Sequence, residues 1–210
     1  MSGTLASRPD TTLAGMVWPA REGAALRLLR GAALGFLGAC LLTISAKTQV
    51  PGPVPMTLQT LAVMAIGAGL GMRLALASVL IYLAQGALGL PVFANTPPQV
   101  PNLAYFLGPT GGFLLGFAAA AAIVGAAADR GLLRRPVIFG LVLTGANVVM
   151  LAVGCIWLAF LARTASGTGI GLVRAFEFGV QPFLVGNAIK LAIAALSFPL
   201  LFRFAARFSR

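Results

Sequence analysis

Along the chain, polar and apolar positions do not alternate at a short period. Charges gather into brief clusters separated by long apolar stretches. Leu74–Ala128 holds 55 successive residues without Lys, Arg, Asp or Glu, Thr48–Met72 holds 25 and Pro136–Ala162 holds 27. A membrane-crossing helix needs about 20 mostly apolar residues, so these runs have the length of membrane spans. Inside wholly apolar segments periodicity says little, and breakers and charges set the boundaries. They predict helices over 25–46, 57–71, 73–90, 103–129, 136–162 and 183–205. The second is short and carries Gly67, Gly69 and Gly71 near its end.

Composition agrees with this pattern. Of 210 residues, 59% are hydrophobic and 9% charged, with a mean hydropathy of +0.97; a soluble domain carries about 25% charged residues. The expected fold is an all-α integral membrane protein of six transmembrane helices, one domain over 25–210. Residues 1–24 are mixed and polar, with no signal-peptide apolar core. They are expected to form a cytoplasmic extension, disordered or interfacial.

The net charge of +11 does not point to nucleic acid, because the basic residues lie between apolar runs rather than along one face. Their distribution sets an orientation instead. With both termini cytoplasmic, the inner segments hold Arg8, Arg21, Arg27, Arg30, Arg73, Arg130, Arg134, Arg135, Arg203, Arg207 and Arg210, which is 11 of the 15 basic residues. Lys47, Arg163, Arg174 and Lys190 are left outward or within a span. This is the asymmetry of the positive-inside rule. The outer connections, 47–56, 91–102 and 163–182, are long enough to cover a pocket.

Several chemistries are excluded. The chain has no His, and its four acidic residues, Asp10, Glu22, Asp129 and Glu177, all lie outside the predicted spans. There is no intramembrane carboxylate pair for acid–base work and no carboxylate-lined cation path. No GxxxxGK[ST] loop is present, so the chain does not bind ATP in the P-loop way. Cys40 and Cys155 sit in apolar runs and read as buried structural thiols.

Four stretches hold candidate chemistry. GPTGG at 108–112 is either a tight helix start or a place where Gly111 and Gly112 let a ligand approach the backbone, with Asn102, Tyr105 and Thr110 offering hydrogen-bond groups. Gly31, Gly35 and Ala39 form a stripe of small residues that either packs within the bundle or docks another membrane subunit. PVPMTLQT at 53–60 brings Thr57, Gln59 and Thr60 to a membrane entry. Thr57 suits a cap, whereas a Gln59 amide pointing inward wants several partners. Asn187 and Lys190 are three residues apart and share a helix face. Thirteen residues separate Lys190 from Arg203, about 20 Å of helix, so in a core of about 30 Å Lys190 lies well below the outer surface. A ligand or buried-pocket role competes there with snorkelling.

The order PVPMTLQTLAV (53–63), SVLIYLAQGALGLPVFA (78–94), LGPTGGFLLGF (107–117) and GVQPFLVGNAIKLAIAAL (179–196) resembles the BioY family. That family comprises biotin-specific S components, the substrate-capture subunits of energy-coupling factor (ECF) transporters. The resemblance implies a six-helix S-component fold in a prokaryotic cytoplasmic membrane. It implies biotin held near the outer side, and partners in a transmembrane T component and two ATPase subunits. It implies no enzymatic activity and no cofactor in the chain. Where the family's sixth-helix motif is similar to GDxxK, this chain reads Gly186–Asn187–Ala188–Ile189–Lys190, with Asn in place of Asp. Asn95 matches a ligand-contacting position, and Gly31, Gly35 and Ala39 fall where S components pack on the T component. The implied site comprises Lys190, Asn187, Gln59, Thr57, Tyr82, Asn95, Tyr105, Thr110 and Gly111. Lys47, Arg163 or Arg174 is expected to meet the biotin carboxylate. An S component for another small vitamin, or a membrane scaffold that binds no ligand, is the competing reading.

Overall fold

The computed structural model describes residues 12–17, 23–50, 56–94, 96–97, 102–164 and 167–208. Helices dominate: α1 (Leu13–Val17), α2 (Ala24–Lys47), α3 (Gln59–Leu70), α4 (Met72–Ala87), α5 (Gly111–Asp129), α6 (Pro136–Phe160), α7 (Leu172–Gly179) and α8 (Leu184–Phe208). Two short antiparallel pairs join them, β1 (Gln49–Val50) with β2 (Met56–Thr57) and β3 (Arg163–Thr164) with β4 (Gly167–Thr168).

Among the described residues, four segments are long and apolar enough to cross a membrane: Ala24–Lys47, Gly111–Asp129, Pro136–Phe160 and Leu172–Ala205, the last running through α7 and α8. α3 and α4 are shorter apolar helices of 12 and 16 residues. Large apolar side chains project outward along the long helices, as with Leu37, Leu41 and Ile44 on α2 and Val185, Ile189 and Ile193 on α8. A surface this apolar suits hydrocarbon, not water.

The predicted helix bounds hold closely except at 103–129. There Leu103–Leu107 is a separate 3-10 turn, and the helix starts only at Gly111. Gly108 and Pro109 intervene, and the Asn102 side chain caps the turn by accepting the Tyr105 N–H at 3.2 Å. α7 has no counterpart in the prediction, having been read as part of a connection. The extension also holds structure: Leu13–Val17 is helical and lies against α3 and α8. Arg30 Nη2 donates to the Ala14 carbonyl at 2.8 Å.

At this same end α3 turns into α4 through Gly71, at φ 78°, where glycine is favoured over any residue with a Cβ. Asp129, at the end of α5, accepts the Met72 N–H at 3.0 Å. A carboxylate there satisfies one free donor of α4 and complements its dipole.

α5 and α6 form the tightest pair. A Cβ on Gly112 would run into Trp157, and one on Gly154 would run into the Phe113 ring. One on Gly116 would sit 2.8 Å from the Met150 carbonyl oxygen. Each helix thus places glycine where the other places bulk.

Gly31 and Gly35 face α4 in the same way: a Cβ on Gly31 would lie 3.7 Å from Leu74, and one on Gly35 3.2 Å from Ile81. Ala39 is fully buried. The stripe read as a subunit-docking face is therefore corrected. Gly35 and Ala39 are buried within the chain, Gly35 against α4, while Gly31 is half-buried, because small residues let these two helices approach closely. Cys155 is buried as expected, whereas Cys40 is only half-buried.

Candidate functional site

With 12 residues, α3 is about 18 Å long, short of a hydrocarbon core of about 30 Å. Its N-terminus stops inside the bundle, and the β1–β2 pair folds over it. The Leu58 N–H bonds back to the Ser45 and Thr48 carbonyls, each at 3.2 Å, which ties this cover to the end of α2. The space left is a cavity of about 680 Å³. It lies at the end of the bundle where α2, α4 and α6 finish and α3, α5 and α8 begin, opposite the Gly71–Asp129 end.

A bonded set of its polar groups comes from four elements, β2, α3, α4 and α8. Lys190, six residues into α8 and only 7% exposed, points its ammonium to the Thr57 carbonyl at 2.7 Å. Thr57 Oγ1 donates to Gln59 Oε1 at 3.1 Å, Gln59 Nε2 donates to Tyr82 Oη at 2.9 Å, and Tyr82 Oη donates to the Val92 carbonyl at 3.4 Å. This chain of bonds links α8, the β1–β2 cover, α3, α4 and the turn after α4. It answers what a buried Gln59 needs, since a buried amide left unpaired is costly. Asn187 is 3% exposed, lines the cavity and has no side-chain hydrogen bond among the described residues. Its amide is free to meet a guest.

The apolar walls come from Phe93, Phe113, Leu114, Phe117, Met150, Leu151, Leu158, Ile170, Phe178 and Phe183. Phe93 organises one side. Its ring stacks on Tyr105 with centroids 4.6 Å apart and meets Tyr82 edge-on at 5.4 Å and Phe106 at 5.6 Å. It occupies the space a side chain at Gly86 would take.

Seven of the nine predicted site residues line the cavity: Thr57, Gln59, Tyr82, Tyr105, Thr110, Asn187 and Lys190. Asn95 lies outside the described residues. Gly111 does not line it. A Cβ there would strike the Phe106 carbonyl and stand 3.2 Å from Trp157, so its glycine serves the helix start and Gly111 is corrected as a ligand contact. Among the outward cations, Arg163 and Arg174 are exposed and outside the lining. Lys47 is outside it too, with its ammonium bonded to backbone oxygens of the turn after α4. Thr60 also lines the cavity. The apolar wall was not legible, because its residues look like any other part of an apolar helix.

An apolar cavity with a few placed polar groups, at one end of a helical membrane bundle, is the form that small-molecule sites take. The sequence model of the BioY family matches residues 12–207, and the chain belongs to that family. A probable biotin transporter BioY of Pyrococcus horikoshii is 38% identical over 157 residues, covering 74% of this chain and 86% of that one. A biotin transporter BioY of Rhizobium etli is 37% identical over 151 residues, covering 69% and 75%. One of Thermotoga maritima is 33% identical over 158 residues, covering 74% and 86%. The fold is similar to the crystal structure of the S component for biotin from an ECF-type ABC transporter. The TM-score is 0.70 with 21% identity, over 87% of this chain and 95% of that chain.

Proposed function

We propose that this chain captures biotin in the cavity as the membrane-embedded, substrate-specific subunit of an ECF-type vitamin importer. The observation that carries the reading is the polar set of the cavity in a member of this family: a buried lysine, an amide with no partner among the described residues and a Thr–Gln–Tyr chain, facing a mostly apolar space. Biotin has a ureido ring with two N–H donors and one carbonyl acceptor, an apolar thioether bicycle and a tail ending in a carboxylate. Asn187 both donates and accepts, which matches the ureido group. Lys190 and Gln59 present further polar atoms, Thr57 and Thr110 add hydroxyls, and Tyr82 and Tyr105 supply flat apolar surface with polar tips. A volume of about 680 Å³ lies within the range of small-ligand pockets, roughly 300–1,000 Å³.

The chain crosses a prokaryotic cytoplasmic membrane six times, with both termini inside and the cavity on the outer side. The distribution of arginines supports this, since Arg73, Arg130, Arg134, Arg135 and Arg203 all fall at the end opposite the cavity. Energy comes from a T component and ATPase subunits.

Equilibrium binding of labelled biotin to purified protein, wild type against Lys190→Ala, tests the reading, with thiamine and riboflavin as competitors. Saturable binding that the other vitamins do not displace is expected. Absence of a saturable biotin site in the wild type overturns the proposal.

A further inference from the structure

This inference rests on the biotin-capture reading. We propose that Lys47 is a positioning residue that sets how fast the cavity admits and releases its ligand, by latching the Phe93 wall from outside. Lys47 is the last residue of α2, and its stem is exposed. Its ammonium donates to the Phe93 carbonyl at 2.7 Å, to Thr96 Oγ1 at 3.3 Å and to the Thr96 carbonyl. An ammonium has three donors, and three acceptors of the turn engage them. None is left for a ligand carboxylate, which is the role the sequence suggested for this residue.

What Lys47 holds is the backbone behind a wall of the site. Thr96 is buried and donates to the same Phe93 carbonyl from its hydroxyl at 2.8 Å and from its backbone N–H at 3.3 Å, so that oxygen receives three bonds, of which the one from Lys47 is charge-assisted and therefore the strongest. On the other side of this backbone, the Phe93 ring faces the cavity between Tyr105 and Tyr82. Fixing the carbonyl fixes the ring. With the ammonium removed, Phe93 O keeps the two neutral Thr96 bonds, both local to the turn, but loses the Lys47 tie to α2, and the aromatic wall can swing. The acceptors of the latch belong to the turn and not to the ligand, so it offers the filled and empty states little difference in free energy, and a group without such a difference shifts no equilibrium. Its removal speeds both directions and leaves affinity nearly alone.

Stopped-flow exchange of labelled biotin on purified protein tests this, with biotin and its methyl ester as ligands and Lys47→Met and Lys47→Arg as variants. Association and dissociation are expected to rise about tenfold each in Lys47→Met, with Kd within about threefold. The change should be the same for the ester, and Lys47→Arg should recover most of the slow exchange. Unchanged rates in Lys47→Met overturn the latch. So does a loss of affinity for biotin that spares the ester, the mark of a direct carboxylate contact. If Lys47→Met does not yield folded protein, Lys47→Gln is read by the same criteria. A wild type with no saturable biotin site overturns the parent reading. A wild type that binds, beside a variant with unaltered rates, overturns the latch alone.

Discussion

Lys190 and Thr57 are 133 residues apart in the chain, yet the ammonium of one donates to the backbone carbonyl of the other at 2.7 Å. A cation in the apolar part of a membrane helix costs about 2.5–3.5 kcal/mol on insertion scales, and here a main-chain oxygen answers it. Of the two acidic residues described, Asp129 lies at the opposite end of the bundle and Glu177 is exposed on α7. The same bond holds the β1–β2 cover to α8, so Lys190 shapes the site and lines it. Replacing Lys190 with Met is expected to weaken biotin binding about 10- to 100-fold, the equivalent of about 1.5–3 kcal/mol for a hydrogen bond to a charged group. Titration with labelled biotin measures it, and wild-type affinity in the variant counts against the arrangement.

Asn187 differs from its neighbours in having no side-chain hydrogen-bond partner to lose among the described residues. Asn187→Leu should therefore lower biotin affinity at least as much as a lost neutral hydrogen bond, about 0.5–1.5 kcal/mol, while the ligand-free melting temperature stays level or rises. A clear drop in the ligand-free melting temperature would mean that Asn187 serves the fold rather than the guest.

Gln59 and Tyr82 act as one unit. Gln59→Leu strands the Thr57 hydroxyl and removes the donor to Tyr82 Oη, whereas Tyr82→Phe strands the Gln59 amide and the Val92 carbonyl. Each change is expected to destabilise by about 1–3 kcal/mol. The double variant should fall short of the sum, by a coupling of about 0.5–3 kcal/mol. A double-mutant cycle on thermal unfolding decides, and strict additivity would show the bond to be energetically idle.

Gly86→Ala places a methyl group where the Phe93 ring sits. Overpacking of this kind costs about 1–3 kcal/mol, and relief should come from Phe93→Leu in the same chain. If Gly86→Ala alone leaves both stability and biotin exchange unaltered, the ring does not occupy that position.

At the far end, Asp129→Ala removes the acceptor for the Met72 N–H. Loss of a helix-terminal acceptor typically costs about 0.5–2 kcal/mol, so the melting temperature should fall. Biotin affinity of the folded fraction should not change, because no cavity residue is touched. A matching loss of affinity would tie the two ends together more closely than their separation suggests.

Much of this was legible in the sequence for reasons that can be named. Helix bounds followed from where charges stop and start, since burying a charge in lipid is costly. Asn187 and Lys190 were legible as a shared face because helical spacing is local. The Thr57 carbonyl was not, since every residue carries that oxygen and only the folded cover brings this one to α8. Gly31, Gly35 and Ala39 misled because small residues at intervals of four suit packing within a chain as well as between chains. Gly111 misled for a related reason: the Phe106 carbonyl and a ligand would make the same demand for missing bulk. Lys47 was visible as an outward cation, but its acceptors are backbone oxygens of a turn with no sequence signature.

The reciprocal fit of Gly112 with Trp157, Gly116 with Met150 and Gly154 with Phe113 has a mechanical meaning. Moving either helix by one residue along its axis would drive ring or backbone into backbone, so α5 and α6 behave as a ratchet jammed on a single tooth. A jammed pair is a stator. Six of the ten apolar wall residues named above are mounted on it, and the parts left to travel are those fastened by hydrogen bonds: the β1–β2 cover, held through Lys190, and the Phe93 turn, held through Lys47.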